Sequence, residues 1–195
     1  TDYVVEGLSQ SDMEWADLDD DSDQDLIITG IDDNNQNQAY YYTNLGNFDF
    51  LKEELFRNFS EGVQRGEIDI VDRDKDGDND LFITGVSGNN NDFISRREYN
   101  NTYYYRNQFT NVGVGLADGN TEYLDIDGDG ELDYLSIGRR DGNSEQVFVE
   151  SNLNTFNLPN LKNVDFDFAD YNNDGMSDVI ITGEDLNSGN AVSKL

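Results

Sequence analysis

The chain has 195 residues and carries 12 basic against 42 acidic side chains, a formal charge of −30, with no histidine and no cysteine. That composition excludes a disulfide framework, a thiolate nucleophile, a Ser-His-Asp relay and an ordinary zinc site, each of which needs one or both of the missing residue types. So negative a polymer repels phosphate backbones and anionic lipid and favours cations, which predicts no nucleic-acid partner and no membrane insertion. Hydrophobic residues at 35% and aromatics at 12% are lean for a globular core but too rich for a disordered acidic tail, so a folded domain is expected.

One phrase occurs four times along the chain: ADLDDDSDQDLIITG, VDRDKDGDNDLFITG, LDIDGDGELDYLSIG and ADYNNDGMSDVIITG. The acidic runs open at Asp17, Asp72, Asp125 and Asp170, and thirteen residues after each opening stands a glycine: Gly30, Gly85, Gly138 and Gly183. Nine residues before each opening stands an apolar residue (Leu8, Val63, Leu116, Leu161), and two before stands a large one (Trp15, Ile70, Tyr123, Phe168). The register divides residues 1–195, read as a single domain, into repeats of approximately 1–47, 48–104, 105–150 and 151–195.

Within each repeat, period-two alternation just before the acidic run marks a half-buried strand: Met13/Trp15, Ile68/Ile70, Phe166/Phe168 and, more weakly, Thr121/Tyr123. After the run, residues 26–29, 81–84, 134–137 and 179–182 are short β-prone stretches closed by glycine, the mark of a buried strand. A third strand is expected at 39–42, 102–105, 146–149 and 191–195, and a weaker fourth at 48–51, 109–112 and 155–158. Residues 51–59 (LKEELFRNF) have some helical character, but their place in the repeat argues strand and connector. The fold class predicted is all-β, a β-propeller of four-stranded antiparallel blades with about four repeats. It is either a small closed ring, with residues 1–5 completing the last blade, or an arc of a larger propeller.

Each acidic run reads D-x-[DN]-x-D-[GS]-x-x-D, with oxygen ligands at alternate positions and a turn residue at the sixth. That spacing wraps a hard cation, and calcium takes six to eight oxygens where magnesium resists losing its water. The predicted side-chain ligands are Asp17, Asp19, Asp21 and Asp25; Asp72, Asp74, Asp76 and Asp80; Asp125, Asp127, Asp129 and Asp133; and Asp170, Asn172, Asp174 and Asp178. Carbonyls would come from the seventh position, Asp23, Asp78, Glu131 and Met176. An EF-hand is excluded because its twelfth position is a bidentate Glu, and here that position is Ile28, Ile83, Ser136 or Ile181. A plain solvated turn rich in Asp, Asn and Gly is the competing reading of a single copy. Four copies in register favour Ca2+.

These tokens, DRDKDGDNDLFITG above all and the following YYYTNLGNFDF, resemble the FG-GAP or VCBS repeats, the calcium-loop blades of integrin α-chain propellers and of secreted bacterial proteins. The resemblance covers nearly the whole chain. It implies a non-catalytic calcium-binding propeller module of a secreted or cell-surface protein, bacterial in type, mediating adhesion or ligand binding. A carbohydrate-binding lectin domain and an accessory domain of an extracellular enzyme are the alternative readings. The chain departs from the pattern at Ser22, where glycine is usual, and at Asn172, where a carboxylate is usual.

A protein or glycan partner is expected on the end opposite the acidic loops, where the polar stretches 31–38, 86–101, 139–144 and 184–190 are read as loops. Arg96, Arg97, Tyr99, Arg139 and Arg140 lie in them and are the candidate ligand-binding residues, against the plainer reading that they balance charge on a very acidic surface.

Overall fold

The computed structural model describes residues 5–54, 62–86, 92–97, 110–111, 117–140, 144–150, 161–185 and 187–194. Among them every regular element is a strand, and no helix is long and apolar enough to cross a membrane. The chain divides into two compact units, Thr1–Ala117 and Asp118–Leu195.

In the first unit, β1 (Ser9–Ala16), β2 (Asp25–Ile31), β3 (Asn37–Asn44) and β4 (Phe50–Glu54) form one antiparallel sheet in sequence order. A second sheet is built in the same order from β5 (Ile68–Val71), β6 (Asp80–Val86), β7 (Asp92–Arg97) and β8 (Thr110–Asn111). Every residue of β2 and of β6 is buried, as expected of short apolar runs in the middle of a sheet. Because neighbours along a strand face opposite ways, Ile27 packs toward the second sheet with Leu18 and Ala39, against Val63, Ile68, Leu81 and Ile83. Leu26 and Ile28 pack the other way, with Tyr40 and Tyr42.

The second unit holds two three-stranded sheets among the described residues. One joins β9 (Ala117–Leu124), β10 (Asp133–Arg140) and β11 (Ser144–Glu150); the other joins β12 (Leu161–Ala169), β13 (Asp178–Asp185) and β14 (Ala191–Lys194). Their shared core is Ile126, Leu135 and Ile137 against Leu161, Phe166 and Ile181. The sheets are small and separate, and none of them closes on itself among the described residues.

The glycine thirteen residues after a loop's first aspartate has a steric cause. In β1 the register slips between Ser9 and Asp12, and in β12 between Lys162 and Asp165, each slip lying opposite the glycine of the next strand. At Gly30, with φ +152°, a Cβ would stand 2.8 Å from the Ser9 carbonyl oxygen, so only glycine lets the bulged strand approach.

Several expectations change. Residues 102–105 and 155–158 lie outside the described residues, as do residues 1–4. The third strand of the second sheet is β7, in a stretch read above as a loop: Phe93 and Ile94 pair with Gly85 and Thr84 of β6. The polar Ser-Arg-Arg ending hid this strand behind the more aromatic run that follows. Met13 and Trp15 do lie on a strand, but they are 52% and 49% exposed and not half-buried as pairs of that type are elsewhere.

Candidate metal centre

Each acidic run connects the first strand of a sheet to the second, and its ninth residue is the first residue of β2, β6, β10 or β13. That placement buries Asp25, Asp80 and Asp133 almost completely, while Asp178 is only partly covered. The same hydrogen bonds then shape all four loops. The ninth carboxylate accepts from the backbone N–H of the second residue: Leu18 to Asp25 at 3.0 Å, Arg73 to Asp80 at 3.1 Å, Ile126 to Asp133 at 3.2 Å and Tyr171 to Asp178 at 3.1 Å. Oδ2 of the first aspartate accepts from the sixth residue, with Ser22, Gly77, Gly130 and Gly175 as donors to Asp17, Asp72, Asp125 and Asp170.

The fifth aspartate accepts from the seventh residue. Asp23, Asp78, Glu131 and Met176 donate their N–H groups to Asp21, Asp76, Asp129 and Asp174 at 2.8 to 3.2 Å. These turns require left-handed backbone at two positions. The sixth residues Ser22, Gly77, Gly130 and Gly175 have φ of 75°, 99°, 91° and 88°. The fourth residues Asp20, Lys75, Gly128 and Asn173 have φ of 60°, 59°, 75° and 58°. The fourth position escaped the sequence reading because its residue types share nothing but the conformation.

The result is a concentration of negative charge. Carboxylate oxygens of Asp17, Asp19 and Asp25 lie within 4.8 Å of one another, as do those of Asp72, Asp74 and Asp76, and those of Asp125, Asp127 and Asp133. Among the described residues the fourth loop forms no such trio of acids, since its third residue is Asn172, whose side-chain oxygen accepts from Asp174 N–H at 2.8 Å. Two like charges 4.8 Å apart repel by about 1 to 3.5 kcal/mol at effective dielectric constants of about 80 to 20. The loops therefore hold acids together against their own charge.

Electrostatics of the first loop show this directly. Burial pushes the Asp19 carboxyl up to about 6, with the charges of Asp25, Asp21 and Asp17 adding to the shift and an Asp21 backbone bond partly offsetting it. Burial also raises Asp25, even though it accepts bonds from Asn44 N–H at 2.8 Å and from the Tyr41 hydroxyl at 3.0 Å. The Tyr41 hydroxyl is raised in turn, first by burial and then by the neighbouring Asp25 charge.

Two carboxylate oxygens in the trios, Asp19 Oδ1 and Asp125 Oδ1, are buried and accept no hydrogen bond. In the first, second and fourth loops Oδ1 of the first aspartate accepts from the fifth residue's N–H; in the third, Asp125 Oδ1 lacks that bond. A buried anionic oxygen with no donor is costly in a folded chain unless a cation meets it. The donor set, all oxygen and mostly carboxylate, fits a hard divalent ion.

The two arginine pairs lie at different ends of their own sheets. Arg97 and Arg96 pair with Leu81 and Phe82, next to Asp80, so they lie at the acidic-loop end of their sheet and not at the opposite end. Arg139 and Arg140 pair with Glu145 and Ser144 at the far end of β10. Both pairs are in strands where loops were expected, and Tyr99 lies outside the described residues. No protein family, curated protein or solved structure matches this chain.

Proposed function

We propose that the chain is a calcium-binding repeat module, non-catalytic, in which each acidic loop clasps one Ca2+ and thereby fixes its hairpin. The observation that carries this reading is the convergence of three carboxylates within 4.8 Å in three loops of common backbone geometry. The unmet oxygens of Asp19 and Asp125 support it. The residues that would hold the ion are the first, third, fifth and ninth of each loop, with the seventh contributing its carbonyl. The ion supplies positive charge to acids that otherwise repel.

At dissociation constants of about 0.1 to 1 mM, usual for extracellular modules, millimolar calcium contributes roughly 0.4 to 1.4 kcal/mol per site. Several such sites matter against a total stability of about 5 to 15 kcal/mol. Cytosolic calcium leaves such sites empty, which favours a secreted or cell-surface setting and a role in adhesion or ligand binding. A β-propeller arrangement, resembling the FG-GAP and VCBS repeats, is the architecture we propose. It is supported by four sheets whose strands follow in sequence order and whose loops share one hydrogen-bond pattern. Calorimetric calcium titration with thermal melting tests the reading: saturable binding and a raised Tm are expected, and neither appearing overturns it.

A further inference from the structure

Within the first unit, one peptide group is held by both acidic loops. Its carbonyl oxygen belongs to Asp17, the opening residue of the first loop, and accepts from the Asn79 side-chain amide of the second loop at 2.9 Å. Its N–H belongs to Leu18 and donates to Oδ2 of Asp25, the ninth residue of the first loop, at 3.0 Å. The peptide plane cannot tilt without disturbing both bonds. Packing fixes it further, since the Leu18 side chain is 2% exposed and lies among Val63, Ile68, Leu81 and Ile83.

Asn79 stands between two residues that carry ligand oxygens of its own loop. Asp78 before it is the seventh residue, whose N–H donates to Asp76 Oδ1 at 3.2 Å, and Asp80 after it is the ninth, whose Oδ2 accepts from Arg73 N–H at 3.1 Å. Both flanking residues are buried, and Asn79 is half-buried between them. Once the Asp78 carbonyl and the Asp80 carboxylate face an ion, the backbone on each side of Asn79 is held, and its amide loses the freedom to leave the Asp17 oxygen. Hydrogen bonds at the two ends of one peptide also polarise each other. Order in the second loop therefore passes to Asp17 and Asp25, the first and ninth residues of the first loop.

We infer that the first and second loops take up calcium with positive coupling, carried by Asn79 and the peptide joining Asp17 to Leu18, an inference that rests on the calcium reading above. The coupling is reciprocal, because a free energy shared between two sites changes both affinities by the same factor. Charge acts in the opposite sense, since an ion in one loop cancels negative charge that would draw an ion to the other. That opposition is screened beyond a Debye length, about 8 Å at physiological ionic strength and about 3 Å at 1 M salt, whereas the hydrogen-bonded link is not.

The test is calorimetric calcium titration of the full chain in salt of about 1 M, with the third and fourth loops silenced by Asp127→Asn, Asp129→Asn and Asp174→Asn. Asparagine keeps a side-chain oxygen at each position, so the N–H groups of Asp129, Glu131 and Met176 retain their acceptors. Three versions are compared: both remaining loops intact, the second silenced by Asp74→Asn with Asp76→Asn, and the first silenced by Asp19→Asn with Asp21→Asn. The product of the two association constants in the two-loop chain should exceed the product of the single-loop constants about fivefold, the net worth of one hydrogen bond. Asn79→Ala should bring the two products level. Asn79→Ser, the residue that fills this position of the fourth loop as Ser177, repeats the comparison should the alanine variant melt early. A two-loop product equal to or below the single-loop product, or an excess that the Asn79 variants keep, overturns the coupling and leaves the calcium reading standing. No saturable binding in the two-loop chain overturns both.

Discussion

The side-chain amide of Asn79 donates to the backbone carbonyl oxygen of Asp17 at 2.9 Å, across 62 residues of sequence. It ties the second acidic loop to the first residue of the first. Three further bonds tie the same two sheets and their approaches together, from Ile68 N–H to Asp12 Oδ2 at 2.7 Å, from Arg65 N–H to the Gln10 carbonyl at 3.0 Å and from the Asn37 side-chain amide to the Val86 carbonyl at 3.1 Å. The first loop is therefore positioned partly by the second. Asn79→Ala should cost about 1 kcal/mol, the net worth of one such bond. It should weaken calcium at the first loop while leaving the third unchanged. An unaltered urea midpoint together with unaltered titration would count against this coupling.

Asp25 sits fully buried at the start of β2 and receives three donors, Leu18 N–H, Asn44 N–H and the Tyr41 hydroxyl. Removing the acceptor strands those groups, at about 1 to 3 kcal/mol for each that water cannot reach. Asp25→Ala should therefore destabilise the first unit by about 3 kcal/mol or more even in chelator, where no metal is at stake. Asp21→Ala, at an exposed position in the same loop, should cost less in chelator and lose affinity in calcium. Chemical denaturation under both conditions separates the two roles, and equal losses in chelator would contradict the assignment.

Metal-free stability should fall as pH rises, the reverse of ordinary acid denaturation. Asp19 is raised to about 6 and Asp12 and Asp25 are raised as well, each first by burial, from an unfolded value of 3.8. In that window the folded chain binds more protons than the unfolded one. Its contribution to stability is complete below pH 3.8 and is lost as pH climbs through the folded values toward 6. Asp76, Asp32 and Asp185 are lowered by hydrogen bonds and act oppositely, but only below their own unfolded value of 3.8. In chelator the urea midpoint should thus decrease between about pH 4 and pH 6.5, and calcium should restore the lowered midpoint at neutral pH. A midpoint that rises steadily over that interval in chelator would refute the burial of these acids.

The acidic loops and the strand after each of them were legible in the sequence because their signals are local. Oxygen residues alternate, a glycine closes the run, and β2 and β6 are mostly apolar behind their opening aspartates. Strands whose identity depends on partners were not legible. β7 is fixed by pairing Phe93 with Gly85 and Ile94 with Thr84, and its terminal Arg96 and Arg97 look like loop residues when read alone. The left-handed backbone before three of the loops was equally hidden. Gln10, Arg65 and Asn163, each seven residues before an acidic run, have φ of 48°, 53° and 50° with no glycine to announce it. Exposure of Met13 and Trp15 depends on which sheet lies over β1, and alternation along a strand says only that one face is apolar.

Ser22 holds φ +75° where the other three loops have glycine. A side chain in that region costs about 1 to 2 kcal/mol, and glycine returns part of the gain through its extra freedom when unfolded. Ser22→Gly should then stabilise the first unit by up to about 1 kcal/mol while keeping the bond from this N–H to Asp17 Oδ2. A destabilised variant would mean that the hydroxyl contributes something the backbone geometry does not show.

The fourth loop offers the cleanest separation of charge from geometry. Its backbone bonds match those of the first two loops, with Gly175 and Asp174 donating to Asp170 at 3.0 Å and Met176 donating to Asp174 at 2.9 Å. Asn172 already places an oxygen that accepts from Asp174 N–H. Asn172→Asp keeps that acceptor and adds one negative charge, so any change in behaviour reports charge alone. In chelator the new carboxylate repels those of Asp170 and Asp174, which lowers the melting temperature. In calcium the same charge attracts the ion, and affinity at this loop should rise roughly fivefold to tenfold. Opposite shifts under the two conditions are what a cation site requires; a plain solvated turn would be destabilised, or left unchanged, in both.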